Sequence, residues 1–380
     1  MARDLALLTE CQALVAALRR HPTLAALQGS AGWRDIDRRL HGLLSTIRRP
    51  GPGREPAPPR DPTRVRAVHW NIEHGNWYQR VERALRERPE LADPDLLTLN
   101  EVDLGMARSG NRDVAADLAE ALGLHAVWAP LFLETTHGRH DDAREAAGRG
   151  NRESLFGLAL LSRWPIGATR IVELPSPVRF QYDTEGMYGR FIALVAEIER
   201  PGAPFIAVTV HLEVHRTREH RAAQMRHLLE QLAQEQLPII LGGDLNTHTF
   251  DRGRWWHPWT GALVLALWPG ALLRRRLRWP DRGRTREPVF DALRAAGFKW
   301  RRFSDRQHTL HLRFTRVPEA QGPLTSPPAK PLLTWAERRA HVRLDWFAGR
   351  GWPGGSGATV RGLDGPGRAS DHAPVTAEFW

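Results

Sequence analysis

The sequence predicts an α/β fold, because short apolar runs of strand length alternate with segments of helical periodicity. Residues 114–122 and 218–232 carry apolar side chains at three- and four-residue spacing, which is typical of helices that cover a sheet. Two further apolar runs, at 343–347 and 375–379, are strand candidates near the end of the chain. The runs that indicate the other strands are 65–70, 96–100, 155–162, 191–198, 205–211 and 239–242.

Two helices are predicted ahead of these strands. Apolar residues recur at helical spacing from Leu5 to Leu18 and again from Trp33 to Leu44. Six prolines and two glycines follow within 49–63, a composition that suits neither a helix nor a central strand. The sequence therefore predicts an N-terminal helical extension at 1–48, a stiff linker at 49–63 and one large domain at 64–380.

The composition excludes a disordered chain and a membrane-embedded bundle. Of the 380 residues, 42% are hydrophobic and 26% are charged, as in ordinary globular proteins. A single cysteine, Cys11, permits neither an intramolecular disulfide nor a zinc cluster of several thiolates. The first residues show no secretory signal, so a cytoplasmic location is expected, with peripheral association at a membrane left open.

The net charge of +11 comes almost entirely from arginine, since only Lys299 and Lys330 are lysines. A basic surface attracts phosphate-rich partners such as nucleic acid or anionic lipid. A bias of arginine over lysine is also typical of a GC-rich coding sequence, and the sequence leaves both explanations open.

A tryptophan- and arginine-rich insertion is predicted at 252–285. Its tryptophans flank an apolar run at 261–273, which Pro269 interrupts and three consecutive arginines close. The run is shorter than the roughly 20 residues that span a bilayer, so no transmembrane helix is predicted. Tryptophans beside apolar and basic residues match a peripheral membrane anchor at 255–279. The alternative, a helical hairpin packed on the domain with solvated arginines, is slightly favoured.

Polar side chains end four of the predicted strands and precede the last one. Asn71, Glu101, His211 and Asp244 stand at or just after strand ends, and 370–372 (Ser-Asp-His) comes before the final strand. Asn and Asp commonly begin turns, so one such position alone would indicate little. Side chains at strand ends are held by a rigid sheet while they stay open to solvent, which suits an active site. Together these positions predict one.

The same positions belong to seven short motifs that occur in order along the chain. With them the sequence resembles the endonuclease/exonuclease/phosphatase superfamily, the metal-dependent phosphodiesterases and phosphatases that include DNase I-like nucleases, neutral sphingomyelinases and inositol phosphatases. The resemblance covers about 64–380 and implies a two-sheet α/β sandwich with outer helices, whose site lies where loops at one edge of both sheets meet. The motifs are Val68-His69-Trp70-Asn71, Asn100-Glu101-Val102-Asp103, ALLSRWPI at 159–166, Thr209-Val210-His211-Leu212, Gly243-Asp244-Leu245-Asn246, Arg343-Leu344-Asp345-Trp346 and Ser370-Asp371-His372.

The resemblance implies a Mg²⁺ site, with Mn²⁺ as the substitute ion. Glu101 would be the principal ligand, assisted by Asn71 and Asp371. Carboxylate and carbonyl oxygens suit a hard dication that keeps several waters and also binds substrate phosphate.

The catalytic groups are implied in the same way. Asp244 would orient or deprotonate the attacking water, and Asn246 would hold that water or a phosphoryl oxygen. Asp345 would accept a hydrogen bond from His372 and so fix its tautomer. His211 would supply a second donor to the phosphate.

Two more residues are secondary candidates for contact with the substrate phosphate. Arg190 precedes a predicted strand, where some members of the superfamily carry a basic residue. Asn111 lies in the segment 108–112, which follows the Glu101 motif and resembles a pocket segment of phosphodiesterase-like members. A surface ion pair is an equally good interpretation of Arg190.

The sequence thus predicts a metal-dependent hydrolase of phosphoester bonds, with phosphodiesters preferred, that acts by metal-assisted attack of water on phosphorus. The substrate stays open between lipid or small-molecule phosphoesters and nucleic acid. The alternatives are a DNA or RNA endonuclease or exonuclease, and a noncatalytic binding scaffold of the same fold. The presence of every matched acid, amide and imidazole argues against the scaffold.

Overall fold

Two large β-sheets pack face to face, and helices lie on their outer surfaces. The structure is a computed structural model that describes residues 4–51, 58–138, 141–176, 181–252, 254, 256–312 and 330–380. The inner faces of the sheets share one apolar core, in which Leu158 and Leu160 of one sheet lie in the same buried cluster as Val208 and Val210 of the other. The predicted α/β sandwich is therefore confirmed.

The strands form one sheet of seven, one of five and a short pair. The strands are β1 (Val65–Asn71), β2 (Leu96–Leu104), β3 (His125–Glu134), β4 (Leu155–Ser162), β5 (Ile166–Glu173), β6 (Met187–Gly189), β7 (Ile192–Ile198), β8 (Phe205–His211), β9 (Ile239–Asp244), β10 (Leu310–His311), β11 (His341–Val342), β12 (Asp345–Arg350), β13 (Gly355–Thr359) and β14 (Val375–Phe379). Their orders are β13-β14-β1-β2-β4-β3-β6, β12-β9-β8-β7-β5 and β10-β11.

Eleven α-helices are present in the described residues, three of them before β1 and the others between strands along the chain. They are α1 (Leu5–Leu18), α2 (Leu24–Gln28), α3 (Trp33–Leu44), α4 (Tyr78–Glu87), α5 (Val114–Leu122), α6 (Asp141–Ala146), α7 (Arg218–Gln231), α8 (His257–Leu267), α9 (Gly270–Arg278), α10 (Val289–Ala295) and α11 (Lys330–Glu337). The two helices predicted between strands correspond to α5 and α7.

Strand register brings the polar strand ends to one edge of the sandwich. β1 runs parallel to β2, with Asn71 opposite Asn100, and β8 runs parallel to β9, with His211 opposite Asp244. β12 is antiparallel to β9, so its first residue, Asp345, also lies opposite Asp244. Residues that are far apart in the chain are thereby fixed in neighbouring rows.

All eight predicted strands are present, but the sequence does not predict β3, β5 or the short strands β6, β10, β11 and β13. β3 contains Pro130, which argues against an internal strand because it lacks a backbone donor. The strand tolerates it because its pairing with β4 shifts register between Pro130 and Phe132. Opposite Pro130, a Cβ on Gly157 would lie 2.0 Å from the Ala129 carbonyl oxygen, so only glycine fits. β5 is an edge strand without a continuous apolar run.

The N-terminal extension shares a core with the seven-stranded sheet. Leu14 and Leu18 of α1 are fully buried in the same apolar cluster as Trp128 of β3. Arg48 exchanges two backbone hydrogen bonds of 2.9 Å with Trp128, so the chain after α3 first runs along β3. The extension therefore contributes directly to the packing of the domain.

The insertion forms α8 and α9, which meet at Pro269. Leu265 of α8 and Leu277 of α9 are buried with Val342 of β11. A packed helical pair is thus present, as one of the two interpretations expects, while Trp255 lies outside the described residues. Among the described residues, no helix combines the length and apolar character needed to cross a membrane.

We expect Leu14→Ala to lower the free energy of unfolding of the whole domain by about 2–5 kcal/mol, because it leaves a cavity in the shared core. Leu5→Ala on the exposed side of the same helix is the control, with a change within about 0.5 kcal/mol. Denaturant unfolding monitored by tryptophan fluorescence measures both. If Leu14→Ala left the main transition unchanged and added a separate early one, the extension would fold as an independent unit.

Candidate active site

A bulge in β2 places Glu101 at the edge where the polar strand ends meet. The pairing of β2 with β4 shifts register between Leu99 and Val102, so Asn100 and Glu101 lie in the bulge. Glu101 has a φ of 55°, a left-handed conformation that is uncommon for residues other than glycine and often marks a functional position. Its side chain is 22% exposed, whereas Asn100 is fully buried.

Asn100 joins the two sheets next to this bulge. Its amide group donates to Thr209 Oγ1 of β8 at 3.1 Å, and its carbonyl oxygen accepts from the backbone N–H of Asp244 at 2.9 Å. A buried amide with donor and acceptor both satisfied fixes the relative position of its partners. Asn100 belongs to a sequence motif, but the sequence alone indicates no role for it, because it connects segments that are far apart in the chain.

Asn71 bridges two carboxylates at the end of β1. Its Nδ2 donates to Glu101 Oε1 at 3.0 Å and lies 3.3 Å from Asp244 Oδ2, while its Oδ1 accepts from the backbone N–H of Glu73 at 3.2 Å. Burial and the neighbouring carboxylate of Asp371 raise the pKa of Glu101 to about 8, although the Asn71 hydrogen bond opposes this. Negative charge is therefore crowded at this edge.

Asp345 is held between two buried imidazoles. Its Oδ2 lies 2.8 Å from His372 Nδ1, and its Oδ1 lies 3.2 Å from His69 Nε2. Burial alone would raise the pKa of Asp345, but the two histidines hold it well below its usual range. Burial likewise disfavours protonated His372, yet the Asp345 carboxylate raises the His372 pKa well above its ordinary value. The site therefore holds His372 as a cation.

His69 is a site residue without a role in the sequence analysis. Its ring is fully buried, and Thr98 Oγ1 lies 3.0 Å from Nδ1. The signal available in the sequence is a histidine inside an apolar strand, since a buried imidazole requires polar partners. The sequence does not show that one partner is Asp345, 276 positions later.

The carboxylate of Asp244 lies between the side chains of Asn71, His211 and His372. Its Oδ2 lies 3.6 Å from His211 Nε2 and 3.8 Å from His372 Nε2, and its Oδ1 accepts from the backbone N–H of Asn246 at 2.9 Å. Burial lowers the pKa of His211 in spite of the nearby Asp244 carboxylate. The Asn246 amide donates to the Leu212 carbonyl oxygen at 2.7 Å and so ties the ends of β8 and β9 together.

Within the part of the chain that the structure describes, one group of His, Asp and Glu side chains has the spacing to hold a metal ion. The ligand atoms of Asp244, Asp345 and His372 lie within 4.8 Å of one another, and all three residues are buried. Both oxygens of Asp345, however, already face imidazole nitrogens. The oxygen atoms of Glu101, Asn71 and Asp244 form a neighbouring set that is partly open to solvent.

A sequence profile of the Endonuclease/Exonuclease/phosphatase family matches residues 68–372. The chain belongs to this family. Its members are generally hydrolases of phosphoester bonds, and they typically use a divalent metal ion. A comparison with curated proteins gives no match.

The solved structures that are similar to this chain have low sequence identity to it. An endonuclease/exonuclease/phosphatase from Beutenbergia cavernae is 18% identical, with a TM-score of 0.49 over 83% of this chain and 71% of that one. The human Nocturnin catalytic domain with bound sulfate is 16% identical, with a TM-score of 0.46 over 87% and 99%. The 3′ phosphatase NExo from Neisseria, bound to a product DNA hairpin, is 17% identical, with a TM-score of 0.47 over 83% and 99%.

A cavity of about 200 Å³ opens beside Glu101 and His211. One of its walls is apolar and includes Phe132 and Phe156. His74 also lines it, with Nε2 3.4 Å from Glu101 Oε2, and the sequence analysis gives this histidine no role. Burial and nearby Arg108 hold the pKa of His74 well below its ordinary value, so its ring is neutral at this cavity.

Both secondary candidates lie outside the group around Asp244. The guanidinium of Arg190 contacts Glu173 at 3.1 Å and Ser45 Oγ at 3.0 Å, so it connects β5 to the chain after α3. The Asn111 amide donates to the Gly150 carbonyl oxygen at 3.0 Å, and Asn111 lines a separate cavity of about 1030 Å³. The predicted residues that the structure brings to one edge are Asn71, Glu101, His211, Asp244, Asn246, Asp345, Asp371 and His372.

We expect Asp345→Asn to lower the pKa of His372 below its ordinary value, because burial then acts without a compensating carboxylate. Titration of the His372 ring protons by NMR measures the change. The surface variant Asp35→Asn is the matched control and should leave that titration unaltered. An unchanged His372 pKa in Asp345→Asn would show that the pair does not control its protonation.

The same pair gives the domain a defined dependence of stability on pH. The lowered pKa of Asp345 and the raised pKa of His372 stabilise the fold fully between the ordinary pKa values of aspartate, about 3.9, and histidine, about 6.5, and the histidine part declines from there up to the raised pKa of His372. We expect the difference in unfolding free energy between the parent protein and Asp345→Asn to shrink as the pH rises through the pKa of His372. Denaturant unfolding at a series of pH values tests this, and a difference that grows with pH would contradict it.

Proposed function

We propose that the protein is a Mg²⁺-dependent phosphodiesterase that cleaves a P–O bond by direct attack of water. The observation that carries this proposal is the convergence of Asn71, Glu101, His211, Asp244 and His372 on one edge beside a cavity. These groups would supply oxygen ligands for a metal ion, a base for the attacking water and hydrogen-bond donors for the phosphate. Metal-assisted hydrolysis of a phosphate ester uses all three.

The donor set of Glu101, Asn71 and Asp371 fits a hard dication. Burial and then the nearby carboxylates of Asp371 and Asp244 raise the pKa of Glu101 to about 8, so a cation bound beside it would favour its ionised form. Carboxylate and amide oxygens are ligands that Mg²⁺ prefers, and Mn²⁺ accepts the same set. The Asn71 oxygen accepts one hydrogen bond and has a second lone pair available. Bound there, Mg²⁺ would neutralise charge on the nonbridging phosphate oxygens.

Asp244 is placed to orient the attacking water and to accept its proton. Its Oδ1 is fixed by the backbone N–H of Asn246, which leaves Oδ2 directed at the donors around it. Asn246 supports this geometry by donating to the Leu212 carbonyl oxygen at the end of β8, a contact that differs from the role of holding water or phosphate that the family resemblance implies. A base that is held in position avoids the entropy cost of assembling water and phosphate.

His372 and His211 supply hydrogen-bond donors to the phosphate. His372 is protonated because of Asp345, so its Nε2–H carries positive charge toward the site. His211 is kept neutral by burial and can donate one N–H without adding a second cation. Donors fixed in advance stabilise the charge that develops on phosphorus oxygens in the transition state.

The cavity beside Glu101 favours a diester over a bare phosphate. A diester has two substituents, and the apolar wall that contains Phe132 and Phe156 can receive one of them. This supports the preference for phosphodiesters and leaves nucleic acid as the alternative substrate class.

We expect hydrolysis of bis-p-nitrophenyl phosphate to require Mg²⁺ and to fall at least about a hundredfold in Glu101→Gln, Asp244→Asn and His372→Ala. The release of p-nitrophenol measures the rate, with and without EDTA. Calorimetric titration with Mg²⁺ gives a second readout, because Glu101→Gln should weaken binding of the ion itself.

Glu219→Gln on α7 is the control for these variants, since it makes the same chemical change on an exposed side chain. Its turnover should equal that of the parent protein. Unchanged turnover in the three site variants would refute the assigned roles. Absence of any metal-dependent turnover in the parent protein would favour the noncatalytic scaffold.

A further inference from the structure

Helix α8 presents apolar side chains to solvent on the side opposite its packed face. Trp259, Leu263 and Leu267 follow one another at four-residue spacing, which places them on one face of the helix, and Trp256 lies one turn earlier. Leu263 is 53% exposed and Leu267 is 74% exposed. The helix contains no Asp, Glu, Lys or Arg, although a helix at a protein surface normally has a polar outer face.

This exposure is concentrated in one part of the protein. Among the described residues, six of the eight large hydrophobic side chains that are exposed lie on or beside α8, α9 and α11. We call this surface the apolar face, and its residues are Trp256, Trp259, Leu263, Leu267, Leu272 and Trp335. Single exposed hydrophobic residues are ordinary, but a group of large ones marks a surface that binds something.

The apolar face belongs to helices that are firmly attached to the domain. On the other side of α8, Leu265 is fully buried with Leu277 of α9. Arg339 donates to the Ala266 carbonyl oxygen at 2.8 Å, near the end of α8. The outward side chains are therefore not exposed because their helix is detached.

Basic side chains surround the apolar face. The insertion at 252–285 contains eight arginines and a single acid, Asp281, so it carries most of the net charge of the chain. Arg274 and Arg275 are exposed on α9. The Arg339 guanidinium lies 4.3 Å from the centre of the Trp335 ring. Tryptophan and arginine at the rim of an apolar surface match the interface of a bilayer, where rings meet headgroups and basic groups meet phosphate.

The insertion is anchored to the segments that carry the active site. Arg276 of α9 donates to Thr249, three residues after Asn246, with a distance of 3.0 Å to Oγ1. The backbone N–H of Arg343, two residues before Asp345, donates to the Leu277 carbonyl oxygen at 3.1 Å. These contacts fix the helical pair to the two chain segments that carry Asn246 and Asp345.

We propose that the apolar face binds the surface of a membrane that contains anionic lipid, and that the substrate is a phosphodiester carried by a lipid of that membrane. The second part rests on the proposed function. Insertion across the bilayer is excluded for α8 by its length of 11 residues, whereas a helix of this length can lie in the interface. A second copy of the chain is disfavoured as the partner, because a symmetric contact would bring the same arginines together.

The proposal predicts sedimentation of the protein with vesicles of mixed phosphatidylcholine and phosphatidylglycerol. Trp259→Ala and Leu267→Ala should each weaken binding by about tenfold, because each removes a large side chain from the apolar surface. Their matched controls are Trp380→Ala and Leu5→Ala, since Trp259 and Trp380 are 40% and 41% exposed, and Leu267 and Leu5 are 74% and 71% exposed. The controls should bind like the parent protein.

The charge of the lipid provides a second comparison. Arg274→Ser combined with Arg275→Ser should weaken binding to the mixed vesicles and should remove the advantage of these vesicles over phosphatidylcholine alone.

Equal sedimentation of the controls and the face variants, or no sedimentation of the parent protein, would overturn the proposal. A molar mass in light scattering that is twice that of the chain and is halved by Leu267→Ala would overturn it in favour of a dimer. DNA binding that is lost with the two arginines, without vesicle binding, would overturn it in favour of nucleic acid.

The kinetic experiment separates this proposal from the proposed function. Trp259→Ala should hydrolyse soluble bis-p-nitrophenyl phosphate at the rate of the parent protein and should lose about tenfold on phosphatidylglycerol in vesicles. Hydrolysis of the soluble diester without vesicle binding would leave the proposed function standing and would remove the membrane. Vesicle binding through the apolar face without turnover of either diester would support docking and would refute hydrolysis.

Discussion

Crowded negative charge at one edge of the sandwich is the constraint on which the site depends. Strand register fixes Asp244 and Asp345 opposite each other, and the bulge in β2 adds Glu101 to the same edge. Asp345 is compensated within the protein, because His69 and His372 face its two oxygens. Burial and the neighbouring Asp371 carboxylate instead raise the pKa of Glu101 to about 8. A divalent cation would stabilise the ionised form of Glu101. Metal binding would therefore offset part of the electrostatic cost of burying carboxylates at this edge.

The sequence predicts the ends of β1, β8 and β9 because an apolar run that stops at a polar residue encodes both the strand and the position of its last side chain. At Glu101 the predicted end is wrong, since β2 continues through a bulge to Leu104. The sequence cannot predict contacts that depend on how distant segments pack. His69 faces Asp345, and Asn100 faces Asp244, only because the two sheets lie against each other. β3 escapes prediction for a related reason, since Pro130 is acceptable only beside the bulge that β3 forms in its pairing with β4.

Arg190 shows where local resemblance and tertiary context diverge. A basic residue before a strand is a reasonable candidate for phosphate contact, but here the guanidinium is occupied by Glu173 and Ser45. The partner Ser45 belongs to the N-terminal extension, which lies outside the residues matched by the family profile. A segment outside the matched residues can therefore give a structural role to a side chain inside them. The matched residues alone do not show that role.

The N-terminal extension and the segment 252–285 both attach to segments that border the site. The extension holds the segment 181–185, because Tyr182 Oη lies 2.9 Å from the Leu18 carbonyl oxygen and the backbone N–H of Leu24 donates to Asp183 at 2.7 Å. Gln181 and Glu185 of that segment line the cavity beside Glu101. The insertion is held by residues that follow Asn246. The strand ends carry the residues of the family motifs, whereas these two segments pack against their surroundings. The motifs alone cannot identify the substrate, because one fold serves many different substrates.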